Sequence, residues 1–328
     1  MRGSPAHAGR LRPWERSVFG LVFAVMLVFV VAVTMSTARS AGGSQVVAGS
    51  SASMPALKVG AAGPTPRPAA TGSVAQNSSG AVPETIAPSA QLNRRLAAAV
   101  TLAVKRVAGP QAASRLAVGV IDETAGTEAV LRGGRGFAAG GLAYAGLVAA
   151  LLLQRQRAGQ QVGGAESAQA AAMIQRHSHA AAVAIWKRLR TGLPAANATL
   201  KLRHTSGPRL SKLKTTVADQ LQLLTDLSSV QSPLAQASRS YLLGLMTGVV
   251  SGQRWGVPAV ADRTGYAVTN GWLPTARGWV VNSAGIVDDN GQELMIVVLS
   301  AGSPSKASGV AMVRAAALAA ARAITGRP

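Results

Sequence analysis

Apolar residues first gather in one unbroken run: Ser17 to Met35 carries no charged side chain and is dominated by Val, Leu, Phe and Ala. That run falls within the roughly 17–25 residues of a spanning helix and exceeds the about 7–15 of a secretory signal core. From Ser89 the spacing becomes helical, with Leu92, Leu96, Val100 and Val104 on one face and Ser89 as cap, which predicts a helix to about Val107. Residues 115–122 alternate, placing Leu116, Val118 and Val120 on one side of a strand. Glu123-Thr124-Ala125-Gly126 is turn chemistry, and Ala129-Val130-Leu131 starts the return strand. Phe137 to Leu153 is again free of charge. Its length alone admits a second span, but Gly136, Gly140, Gly141, Gly146 and many alanines predict a tightly packed central helix. Helical periods continue over 168–177, 180–189, 216–227 and 232–250. Strands are expected at 266–269, 278–287 and 293–300, and a closing helix from about Ser305 to Ile324. Two strands, a long helical block, three strands and a helix predict one sheet built from both chain ends, with a helical lobe inserted.

Charge and composition divide the chain further. Residues 1–16 hold Arg2, Arg10, Arg12 and Arg16 against Glu15, a basic flank that predicts a cytoplasmic N-terminus. Residues 17–35 are read as an uncleaved signal anchor, although sites after Ala38 or Ser40 would allow removal and secretion. Residues 36–91, rich in Ala, Gly, Ser and Pro, read as an extracytoplasmic linker. Residues 92–328 form the folded domain, with the helical lobe at about 136–261. The chain has no cysteine, which removes disulfides and thiolate chemistry.

The formal net charge is +21, arginine-heavy throughout. Arg176 to Lys214 holds nine Lys and Arg residues and no acid. Outside a membrane such a face would meet an anionic cell-wall polymer or lipid headgroups. Few aromatic residues and the expected location argue against nucleic acid. No cofactor and no metal centre is expected.

Several local patterns recur in one order: Leu116 to Asp122; Phe137 leading into Leu151-Leu152-Leu153-Gln154; Met173-Ile174 upstream of Trp186; and Ala218-Asp219-Gln220-Leu221. Ser232-Pro233 through Met246, Arg254-Trp255-Gly256, and Asn270-Gly271-Trp272-Leu273-Pro274 through Ser303-Pro304 complete the series. Together they resemble the penicillin-recognising serine hydrolases, the class A β-lactamases and penicillin-binding proteins, over about residues 92–326. The resemblance implies an α/β plus all-α fold: an antiparallel sheet flanked by helices, with an inserted helical lobe.

It also implies where the chemistry should be. That family attacks with the serine of a Ser-x-x-Lys, the lysine one turn on taking the proton. Those positions fall on Gly141 and Tyr144. The Ser-Asp-Asn position falls on His177, Ser178 and His179, and the Lys-Thr-Gly position on Thr269, Asn270 and Gly271. No carboxylate lies between Glu166 and Asp219 to serve in deacylation. The expectation is therefore an inactive homologue whose groove, around Tyr144, His177, His179, Thr269, Asn270 and Gly271, binds a peptidoglycan or envelope ligand. The alternative is an active β-lactamase or D,D-peptidase type hydrolase with a displaced nucleophile at Ser178, Ser206 or Ser211. A third reading is a docking domain whose groove is irrelevant. In a loop, His177 and His179 could serve Ser178; with His204 they could bind a metal, though neighbouring helical side chains diverge by about 100°. Gathering of Gly141, Tyr144, His177 and Thr269 around one cleft would support this register.

Overall fold

The computed structural model describes residues 88–262 and 265–327. The basic flank, the signal anchor and all but the end of the linker lie outside the described residues.

A five-stranded antiparallel sheet runs in the order β2 (Thr127–Leu131), β1 (Leu116–Asp122), β7 (Gln292–Ser300), β6 (Gly278–Asp289), β5 (Tyr266–Thr275). The first two strands of the chain thus join the last three, with β1 paired to β7 from Leu116↔Ser300 to Asp122↔Leu294. Seven consecutive residues of β7 are buried, so helices cover both faces of the sheet. On one face α1 (Pro88–Ala108) packs against the C-terminal helix α8 (Lys306–Thr325). Leu96, Val100 and Val104 of α1 are fully buried, as their spacing required. Residues 88–91 are helical, so the linker ends a little sooner than composition suggested. Helix α8 is long and apolar enough to cross a membrane. It packs instead along β7, β1 and β6, its small side chains allowing close approach.

Between β2 and β5 the chain builds the helical part: α2 (Ala143–Arg157), α3 (Gly164–Arg176), α4 (His179–Leu189), α5 (Leu193–Thr199), α6 (Val217–Ser228) and α7 (Gln236–Thr247). The central helix starts later than expected. Phe137–Ala138 instead form a short strand, β3, paired to β4 (Lys214–Thr215), and Gly140–Leu142 make a 3-10 turn. Glycine pairs nucleate helix poorly, so the regular helix waits for Ala143. From there α2 runs 15 residues, ten of them buried, which is shorter than the about 20 of a span and marks a core helix. The tightly packed central helix expected from the glycines and alanines is found, over a shorter span.

An ion-pair cluster ties three of these helices. Glu166, 6 % exposed near the start of α3, accepts from Arg155 of α2 at 2.5 and 3.0 Å and from Arg188 of α4 at 3.0 Å. It also accepts from the Gly163 N–H at 3.3 Å, capping its own helix. The hydrogen bond from Arg155 above all, then the Gly163 amide and the charges of Arg155 and Arg188, hold the Glu166 carboxyl below its ordinary range, against an opposing effect of burial. A depressed carboxylate pKa makes the unfolded chain the better proton binder. The contribution is therefore complete above the ordinary glutamate value of about 4.5 and is lost as pH falls through the lower, folded one. Glu166→Gln will lower the urea midpoint at neutral pH and flatten the acid limb of the stability profile. An unchanged acid limb would show that the cluster contributes nothing.

Candidate functional site

The open edge of the sheet, strand β5, meets the start of α2 in a cleft of about 290 Å³. Gly140 has φ +55°, a left-handed conformation that glycine adopts without strain. The turn it opens lies tight on β5: a Cβ on Gly271 would overlap the Leu142 backbone nitrogen and fall 2.5 Å from the Ala139 carbonyl oxygen. Asn282, fully buried on β6, sets that height. Its Nδ2 donates to the carbonyls of Ala138 (2.9 Å) and Ala139 (3.1 Å), and its Oδ1 accepts from the Ser300 N–H (2.9 Å).

The opposite wall comes from the junction of α3 and α4. His177 takes φ +57° and reverses the chain, and Ser178 caps α4, its Oγ accepting from the Ala181 N–H at 3.3 Å. This swings the His177 imidazole into the cleft, stacked on Trp272 with centroids 3.7 Å apart and planes 13° apart. The Tyr144 ring lies 5.0 Å away. A Cβ built on Gly141 would overlap His177 Cε1 and lie 2.5 Å from its Nε2. The imidazole therefore fills the space that any side chain at position 141 would need.

Burial first, then the charge of Lys306, holds the His177 pKa down to about 4, only partly offset by a hydrogen bond with Gln253. The ring is neutral at physiological pH. Burial raises the pKa of the Tyr144 hydroxyl above its ordinary value, so the phenol stays protonated and offers no base at neutral pH. The Lys306 ammonium lies 3.6 Å from the centroid of the Trp272 ring, a cation–π contact, and burial lowers its pKa.

Gly141, Tyr144, His177 and His179 thus line one cleft, together with Leu210, Ser211 and the Trp272–Pro274 edge. Thr269, Asn270 and Gly271 are buried and do not line it, so of the four positions expected to gather, Gly141, Tyr144 and His177 do and Thr269 does not. Asn270 is an internal tether, its Nδ2 donating to the carbonyls of Gln253 (2.7 Å) and Trp255 (3.3 Å). Ser178 spends its hydroxyl on the cap, and Ser206 lies away from the cleft, its backbone bridged to Lys214. His204 sits apart from the other two histidines, its Nδ1 3.5 Å from Asp219. Of the three histidines, only His177 and His179 share the cleft. Ser211 is the serine of the lining, with no hydrogen bond to a histidine among the described residues.

Three contributors escaped the sequence, Leu210 of a 3-10 turn among them. Trp279 reaches the lining from the far side of the β5–β6 hairpin, which only the folded register reveals. Lys306 is the first residue of α8, where a cation opposes the helix dipole. That misplaced charge was the available signal that the side chain serves something beyond its helix.

The fold is that of the class A β-lactamases and penicillin-binding proteins. An ancestral class A β-lactamase of Gram-negative bacteria superposes with a TM-score of 0.56 at 19% identity, over 71% of this chain and 100% of that one. The β-lactamase of Streptosporangium roseum gives 0.57 at 17%, over 73% and 100%. The putative class A β-lactamase PenP of Rhodopseudomonas palustris gives 0.54 at 18%, over 68% and 98%. No protein-family model and no curated protein matches the chain by sequence.

Acyl transfer needs a nucleophile, a base in reach of it and a donor pair for the developing oxyanion. The cleft offers glycine, a protonated phenol and a neutral imidazole at the positions that the resemblance assigns to the chemistry. No carboxylate lines it. What it does offer is a set of aromatic faces, Trp272, Trp279, Tyr144 and His177, with one ammonium beside them.

Proposed function

We propose that this protein is a catalytically silent relative of the serine β-lactamases, held at the outer face of the membrane by its apolar 17–35 segment, whose cleft binds a cell-wall or envelope ligand. One observation carries the reading. The place of the attacking serine holds glycine, and the space above it is taken by the His177 ring stacked on Trp272. Loss of the hydroxyl alone would leave an open pocket; a packed, neutral ring in the vacancy supports a domain built around the absence. The rim, rich in aromatic faces and free of carboxylates, suits sugar or peptide portions of peptidoglycan.

Incubation of the full chain with a fluorescent penicillin, read by intact mass, will show no adduct, and a chromogenic cephalosporin will not be turned over. The full chain will co-sediment with purified peptidoglycan, and Trp272→Ala will weaken that retention. A stoichiometric adduct would overturn the silent reading, and peptide mapping would then test Ser211, the serine that shares the lining with two histidines.

A further inference from the structure

The segment Arg176 to Lys214 sends His177, His179, Leu210 and Ser211 into this cleft but none of its lysines or arginines. It folds into a second concavity of about 710 Å³ on the helical lobe, between α4, α5 and the loop that follows. Trp186, Leu193 and Pro194 supply its apolar surface, Asn197 a polar one, and Arg190 and Arg203 two guanidinium groups. Both arginines are exposed, and among the described residues neither has an ion-pair partner.

The nearest acids in sequence are already engaged. Glu166 is held by Arg155 and Arg188. Asp219 accepts from the His204 N–H at 2.8 Å and from the Thr205 hydroxyl at 2.6 Å. The groove is also well shaped. Asn197, 7 % exposed, donates from Nδ2 to the Thr205 carbonyl at 2.6 Å, which fixes the loop carrying Arg203 against the helix that follows Arg190.

We infer that this groove is a binding site, separate from the β5 cleft, for a phosphate-bearing polymer of sugar or polyol units. Two free guanidinium forks match phosphate oxygens in a way that ammonium groups do not, and the indole offers a flat face to the carbon skeleton between them. The ligand is a polymer and not a single anion because the positive field continues past the groove. Lys187, Lys201 and Arg209 are exposed around it, and no acid occurs in the whole segment. The inference does not rest on what the β5 cleft binds.

Calorimetric titration of the full chain with a glycerol-phosphate oligomer tests it, beside inorganic phosphate and a single-stranded oligonucleotide of equal charge. Saturable binding to the oligomer is expected, weakened about tenfold or more in the Arg190→Gln, Arg203→Gln double variant, with a shallower salt dependence. His177→Ala will leave it unchanged. So will the double variant Arg94→Gln, Arg106→Gln, which removes the same charge from the exposed surface of α1. Equal loss in both double variants would reduce the effect to net charge and overturn the site. Tighter binding of the oligonucleotide would overturn the ligand class, and absence of saturable binding would overturn both.

Discussion

A Gly141→Ser variant will lose about 1–3 kcal/mol of stability, the usual range for overpacking, and will gain no hydrolytic activity. The new Cβ would overlap Cε1 of His177, so either the imidazole leaves its stack on Trp272 or the turn shifts. The serine would also lack a base, because position 144 carries a phenol whose pKa burial has raised. The decisive comparison is with the double variant that also carries His177→Ala. Removing the ring costs its stacking, about 0.5–1.5 kcal/mol, but opens room for the serine. The two changes should therefore be less harmful together than their sum, with a coupling of about 0.5–3 kcal/mol for such neighbours. Urea midpoints at constant m-value read this directly. Strict additivity would mean that His177 does not occupy the vacant position in solution.

Gly271→Ala should be worse, costing about 3 kcal/mol or more, at the upper end of what overpacking does. Here the added methyl meets main chain: the Leu142 nitrogen and the Ala139 carbonyl oxygen, beside the Leu142 Cβ at 2.9 Å. An imidazole at a cleft can rotate toward solvent; a backbone fixed by Asn282 cannot. Strand β5 must move off the turn, and with it Trp272, so the variant should also lose whatever ligand the cleft retains. Circular dichroism melts together with peptidoglycan co-sedimentation would measure both effects. Wild-type stability in this variant would mean that the strand and the turn are not in close contact.

The element order and the union of both chain ends in one sheet were legible, because the periods of long helices and buried strands survive without knowledge of contacts. Boundaries failed where local chemistry was ambiguous. Residues 137–142 are apolar and glycine-rich without a capping side chain, so nothing in them separates a strand and a 3-10 turn from a helix. Strand β5 was expected to end at Thr269, yet it runs to Thr275 through Pro274. A proline is tolerated there because β5 is the sheet edge, which sequence alone does not tell. Helix α5 was missed although Pro194 stands in its first turn, a favoured start position that seven residues made easy to pass over. The site divided the same way. Gly141, Tyr144 and His177 could be found by register against a family pattern, whereas Lys306 and Leu210 arrive from distant elements and Trp279 through the pairing of β6 with β5.

The pairing of β1 with β7 joins residues on either side of the whole helical lobe. During synthesis the innermost early strand therefore waits for its neighbour until nearly the entire chain has left the ribosome. Contacts of such long sequence separation slow folding, since a large loop must close before they repay it. The closing stretch of the polypeptide thus acts as a timer: it governs when the domain can shut as well as whether it does.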